Sequence, residues 1–115
     1  MPELIETPVL VLGSGIAGAT AALELADRGV KVIVATRAEE PAESNTYYAQ
    51  GGIIYRGVDD SPNALAADTL RAGAGHSYPP AVRILAEEGP AAVDAVLIDR
   101  AGVQFDRDSA GHLSF

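Results

Sequence analysis

The chain has 115 residues, 48% of them hydrophobic, which is enough for one small domain with a modest core and too little for a second full domain. Sixteen acidic residues against eight basic ones give a formal charge of −8, and Lys31, Arg37, Arg56 and Arg71 are scattered, which argues against nucleic acid or an anionic membrane surface as partner. The absence of cysteine excludes a disulfide framework, a thiolate metal site and a cysteine nucleophile.

Near the N-terminus, Glu3 and Glu6 stand where a secretory signal would carry positive charge. The uncharged stretch Thr7 to Leu23 is cut by Gly13, Gly15 and Gly18 and is shorter than the roughly 20 apolar residues of a spanning helix. Together with the missing cysteines this points to a soluble, cytoplasmic protein.

In chain order, "PVLVLG" (Pro8 to Gly13) is a continuous apolar run suited to a strand buried on both faces. "IAGATAALELADR" (Ile16 to Arg28) predicts a helix with a smooth, small-residue face, stopped by Gly29. "VKVIVAT" (Val30 to Thr36) is β-branched and predicts a second strand, so the first 36 residues read as a right-handed βαβ unit with parallel strands. "AEEPAE" follows as a charged, proline-broken loop.

Further on, "SPNALAADTLRAGAG" predicts a helix capped by Ser61, with Leu65, Ala66 and Leu70 on one side and Gly73 and Gly75 at its end. The Gly89-Pro90 pair pairs a terminator with a preferred first-turn residue, so two helices are expected, Pro80 to Glu88 and Pro90 to Arg100. The tail "VQFDRDSAGHLSF" alternates around an Asp-rich, Gly-containing turn and predicts a hairpin.

"GSGIAG" (Gly13 to Gly18) fits G-x-G-x-x-G and sits between a buried strand and a helix, where a dinucleotide-binding mechanism needs it. Gly13 permits the tight turn, Gly15 lets a pyrophosphate approach the backbone, and Gly18 lets helix and strand pack closely. The N–H groups around Ser14, Ile16 and Ala17 would face the phosphates at the favourable end of the helix dipole. An acid is expected about 20 residues on to hold a ribose hydroxyl, yet Thr36 and Arg37 stand there. Arg37 could hold the 2′-phosphate of an NADP. Equally, Thr36 and Arg37 could meet the ribose in a flavin-binding family, and Glu39 and Glu40 remain candidate ribose partners.

"SNTYYAQGGI" (Ser44 to Ile53) resembles the flavin-contacting segment of the fumarate reductase, succinate dehydrogenase and L-aspartate oxidase family of flavoproteins, most closely its L-aspartate oxidase branch. The likeness continues through "DTLRAGAG", Ala81-Val82, "EEGPAAV" and "GVQFDRD". The resemblance implies an α/β fold, a Rossmann-like βαβ FAD-binding domain whose N-terminal part is residues 1–115 with additional helices, and capping and C-terminal domains outside this sequence. It implies that Ser44, Asn45, Thr46, Tyr47, Tyr48, Ala49, Gln50, Gly51 and Gly52 contact FAD, with Arg37 near the adenosine end. It places Asn45 where succinate dehydrogenases and many fumarate reductases carry a flavin-linking histidine, so the FAD would be non-covalent.

In such an enzyme a hydride passes from the α-carbon of L-aspartate to the flavin N5, giving iminoaspartate. The electrons go on to dioxygen or fumarate, and the product feeds quinolinate synthase in NAD biosynthesis. The family's substrate-binding arginines and histidines have no counterpart here, so no catalytic residue is assigned and the fragment alone is expected to be inactive. A sheet of two strands would expose an unpaired edge and apolar surface, which predicts marginal stability or self-association. Other readings are a stand-alone dinucleotide-binding module without catalysis, a fumarate reductase or succinate dehydrogenase type fragment, and an NADP-dependent reductase module. His76 and His112 are isolated and read as turn residues rather than metal ligands. Asp106 and Asp108 lack the spacing of a calcium loop.

Overall fold

A computed structural model describes residues 3–114, and the chain divides into two compact units, Met1–Gly51 and Gly52–Phe115. In the first, strand β1 (Val9–Leu12), helix α1 (Ile16–Asp27) and strand β2 (Val32–Ala35) form a βαβ crossover. A short helix α2 (Asn45–Tyr48) follows. The two strands pair in parallel, Val9 opposite Val32 and Leu12 opposite Ala35, as the β-branched runs predict. With its flanking helix this makes a mixed α/β unit around a two-stranded parallel sheet.

Helix α1 covers one face of that sheet. Gly18, Ala22 and Leu25, spaced for one side of a helix, are half-buried, as are Val9 and Val11 on the strand they approach. On the opposite face Leu10 and Leu12 remain 54% and 79% exposed. The helix ends as the sequence predicts: Gly29 takes a left-handed φ of +72°, its N–H donates to Ala26 O, and Val30 N–H donates to Leu25 O.

The second unit is helical. Helix α3 (Pro62–Ala72) starts on Ser61, whose hydroxyl accepts from Ala64 N–H at 3.1 Å. Helix α4 is Pro79–Ala92, and the two pack through Leu65, Ala66, Val82 and Ala86, of which Ala86 is wholly buried. Arg83 tethers them at the rim by donating to Asn63 Oδ1 at 2.7 Å.

The break expected at Gly89-Pro90 does not occur, since both residues lie inside α4 and the chain runs on as a π-helical segment, Val93–Arg100. A proline inside a helix costs about 3 kcal/mol through its missing N–H and its clash with the carbonyl four residues back. Here the Pro90 ring is buried and Val93 is buried one turn on, so apolar contact offsets that cost. Downstream of it the winding widens to i→i+5. Within this segment Asp94 accepts a 2.7 Å hydrogen bond from the Tyr55 hydroxyl. That bond, then burial and the Asp94 charge, hold the Tyr55 phenol above its ordinary pKa, against a smaller opposing pull from Arg56. Gly102, at φ +68°, ends the segment by donating to Ile98 O.

The tail forms a turn with a single antiparallel bridge, Arg107 to Leu113, rather than paired strands. Asp108 organises it, because its Oδ1 accepts from both Ala110 and His112 N–H at 2.9 Å. These bonds, led by the His112 N–H, lower the Asp108 pKa from its ordinary value. A depressed carboxyl stabilises the turn above its unfolded pKa and loses that contribution as pH falls through the folded one. The expected result is that the His112 and Ala110 amides lose protection, relative to their intrinsic exchange rates, only below the ordinary carboxylate range, followed by NMR, whereas in Asp108→Asn the protection of both no longer changes with pH.

Candidate functional site

The glycine loop gathers the first unit's polar groups at the carboxyl end of its sheet. Gly13 leaves β1 with φ +105°, a conformation that disfavours any side chain, while its N–H continues the ladder to Ala35 O at 2.8 Å. At Gly18 an added Cβ would overlap the Gly13 carbonyl oxygen and come within 3.2 Å of Val11 Cγ1. Gly18 is therefore the residue that lets α1 sit against β1. Gly15 is the N-cap of α1 with no side chain to offer the helix, and a Cβ there would meet Thr46 Oγ1 at 3.2 Å.

Around this loop lies a cleft of about 710 Å³. Its wall is Leu12 to Gly15 from the loop, Ala35 to Ala38 from the end of β2, and Glu43 to Thr46 with Tyr48 from the segment around α2. Such a volume lies within the usual range of small-molecule and cofactor clefts. The Ser14 hydroxyl is enclosed and has no hydrogen-bond partner among the described residues. A buried hydroxyl left in this way is one that an ordered water or a ligand atom can satisfy.

Of the residues singled out from the sequence, Gly13, Ser14, Gly15, Arg37, Ser44, Asn45, Thr46 and Tyr48 line this cleft together. Ile16 and Ala17 open α1 directly behind the loop, and Gly18 serves packing. The Ile16 N–H is already taken, since it donates to Thr46 Oγ1 at 3.0 Å. Tyr47 lies edge-on to Tyr48 with ring centroids 5.2 Å apart and is exposed. Ala49, Gln50 and Gly51 follow α2 as exposed chain and do not line the cleft. Gly52 belongs to the second unit, where it lines a smaller cavity of about 260 Å³ with Ile53, Tyr55, Val93 and Phe105.

Sequence reasoning missed Glu43. The acid absent from the end of β2 reaches the cleft wall through the following loop, while Glu39 and Glu40 do not line it. Proximity in sequence favoured the earlier two, and only the turn closed by Glu43 N–H on Glu40 O brings the chain back. His76 N–H closes a turn on Gly73 O, and His112 pairs with Asp108. Among the described residues no three His, Cys, Asp or Glu side chains cluster as a metal site would need. No helix among them is long and apolar enough to cross a membrane.

A family model described as FAD binding domain matches residues 8–115, and the chain belongs to that family, whose cofactor is FAD. Among its curated relatives, the L-aspartate oxidase of Halobacterium salinarum is 49% identical over 106 residues, covering 92% of this chain and 20% of the relative. That of Streptomyces coelicolor is 41% identical over 111 residues, covering 96% of this chain and 19% of the relative. The L-aspartate oxidase of Clostridium acetobutylicum is 36% identical over 111 residues, covering 96% and 25%. The chain thus spans about a fifth of the length of the first two. No solved structure matches it.

Proposed function

We propose that this chain is the FAD-holding N-terminal part of an L-aspartate oxidase, built as a Rossmann-like dinucleotide-binding fold. In this reading the whole enzyme oxidises L-aspartate to iminoaspartate. The observation that carries it is the cleft itself, in which the glycine loop, the end of β2 and the 43–48 segment converge around an enclosed, unpartnered Ser14 hydroxyl. The donor set fits a dinucleotide. Ser14 and the backbone of Gly13 to Gly15 would face the pyrophosphate, and Thr36 and Arg37 the adenosine end. Glu43 would accept from a ribose hydroxyl, and its charge would repel the 2′-phosphate that Arg37 alone would attract. Bound FAD supplies a two-electron acceptor for oxidation of the substrate's α-carbon. The residues of this chain orient that cofactor and exclude water from one side of it. In this reading no residue of this chain is assigned to substrate recognition.

Asn45 carries an amide, which is not a nucleophile towards flavin, so the cofactor is held without a covalent bond. The test is a titration of the purified full-length chain with FAD, read by flavin fluorescence and repeated with NADPH present, followed by acid precipitation. Saturable quenching indifferent to NADPH, with all flavin left in the supernatant, is the expected result. Displacement by NADPH would turn the reading towards a nicotinamide reductase, and a yellow pellet would refute the role given to Asn45. Formation of iminoaspartate from L-aspartate by the whole enzyme tests the activity.

A further inference from the structure

We propose that Thr46 is a positioning residue that caps α1 from 30 positions away and so fixes the cleft before any cofactor enters, an inference that rests on the FAD reading only for its functional consequence. Helices normally satisfy one of their first N–H groups with an N-cap side chain. Helix α1 has none, because its N-cap is Gly15 and no side chain of the cap position reaches back. The Ile16 N–H is bonded instead by Thr46 Oγ1 at 3.0 Å.

The geometry makes the two positions interdependent. A Cβ at Gly15 would stand 3.2 Å from Thr46 Oγ1, tighter than ordinary contact, so the hydroxyl keeps its seat because position 15 is bare. Gly15 thus serves the approach of the 44–48 segment as well as that of a pyrophosphate. Thr46 is also the second residue of α2, on a turn held by the Ser44 hydroxyl accepting from Tyr47 N–H at 3.4 Å. Fastening Thr46 to α1 therefore fixes where Ser44, Asn45 and Tyr48 face the cleft.

A hydroxyl that accepts one hydrogen bond still has its own proton to give. With its oxygen on the positive end of α1, that O–H is polarised towards an anionic acceptor in the cleft. Thr46 would thereby extend the reach of the helix terminus to a phosphate that the Ile16 N–H cannot itself address.

The test compares Thr46→Val, which keeps the shape, and Thr46→Ser, which keeps the hydroxyl, in the full-length chain. Amide hydrogen exchange resolved at Ile16 is measured without cofactor, and FAD affinity separately. Thr46→Val is expected to accelerate Ile16 exchange by about ten-fold and to weaken FAD by about ten-fold, the scale of one lost hydrogen bond. Thr46→Ser should stay within about three-fold of the parent in both. Unchanged Ile16 exchange in Thr46→Val would overturn the proposal whatever happens to FAD. Faster exchange with unchanged FAD affinity would overturn its positioning role. Failure of the parent chain to bind FAD would instead sink the FAD reading, and the exchange arm would still decide whether Thr46 caps α1.

Discussion

Replacing Gly18 with alanine is expected to abolish FAD binding and to unfold the first unit. One methyl group is added, yet it has nowhere to go, because the Gly13 carbonyl oxygen occupies its place and Val11 Cγ1 stands 3.2 Å away. Both neighbours belong to the backbone turn and the strand that define the loop, so relief requires α1 to lift from β1. Overpacking of ordinary core sites costs about 1–3 kcal/mol. A clash with backbone, in a unit where no described residue is fully buried, should exceed what that unit can spare. Circular dichroism and FAD titration of the variant check this, and a folded chain of parental FAD affinity would show that α1 packs otherwise. Gly15→Ala is a useful contrast, since the atom it crowds is the end of a side chain that can rotate away.

The second large effect belongs to the helical unit. Ala86 has no solvent exposure and lies among Leu65, Ala66 and Val82 where α3 meets α4. Ala86→Leu would force several carbons into that contact, and the helices would have to separate. A cost of about 3 kcal/mol is expected, enough to lower the thermal midpoint of a unit this size by more than about 10 °C. The Arg83 bond to Asn63, at the exposed rim, cannot compensate, because exposed polar contacts contribute little. Thermal melts followed at 222 nm provide the check. An unshifted midpoint would mean that the α3–α4 contact is not what holds the unit together.

The βαβ unit was legible in the sequence because its signals act locally and agree: apolar β-branched runs, a small-residue helix face and glycines at both helix ends. The α3 start was equally readable, as Ser61 and Pro62 carry their capping chemistry in adjacent positions. Pro90 misled because its local preference for a first helical turn is overridden by the burial of its ring, which only the packed unit supplies. Of the residues named from the sequence as cofactor contacts, Gly13 to Gly15, Arg37, Ser44, Asn45, Thr46 and Tyr48 line the cleft, whereas Gln50 and Gly51 do not. The bond from Ile16 to Thr46 and the arrival of Glu43 were not legible, since both depend on how the loop after β2 folds back.

Every residue that lines the cleft falls between Leu12 and Tyr48. The cleft is thus lined by one uninterrupted passage of chain in the first unit. Chains fold as they emerge from the ribosome, earlier portions first. This passage therefore has the cleft's lining residues in hand as soon as α2 has been made. A sheet with Leu10 and Leu12 bare on one face gains little from its own core at that stage. A bound nucleotide at 100 times its dissociation constant adds about 2.7 kcal/mol to whatever folds around it. For a nascent βαβ unit of this kind, FAD would be a partner in folding as well as a cofactor.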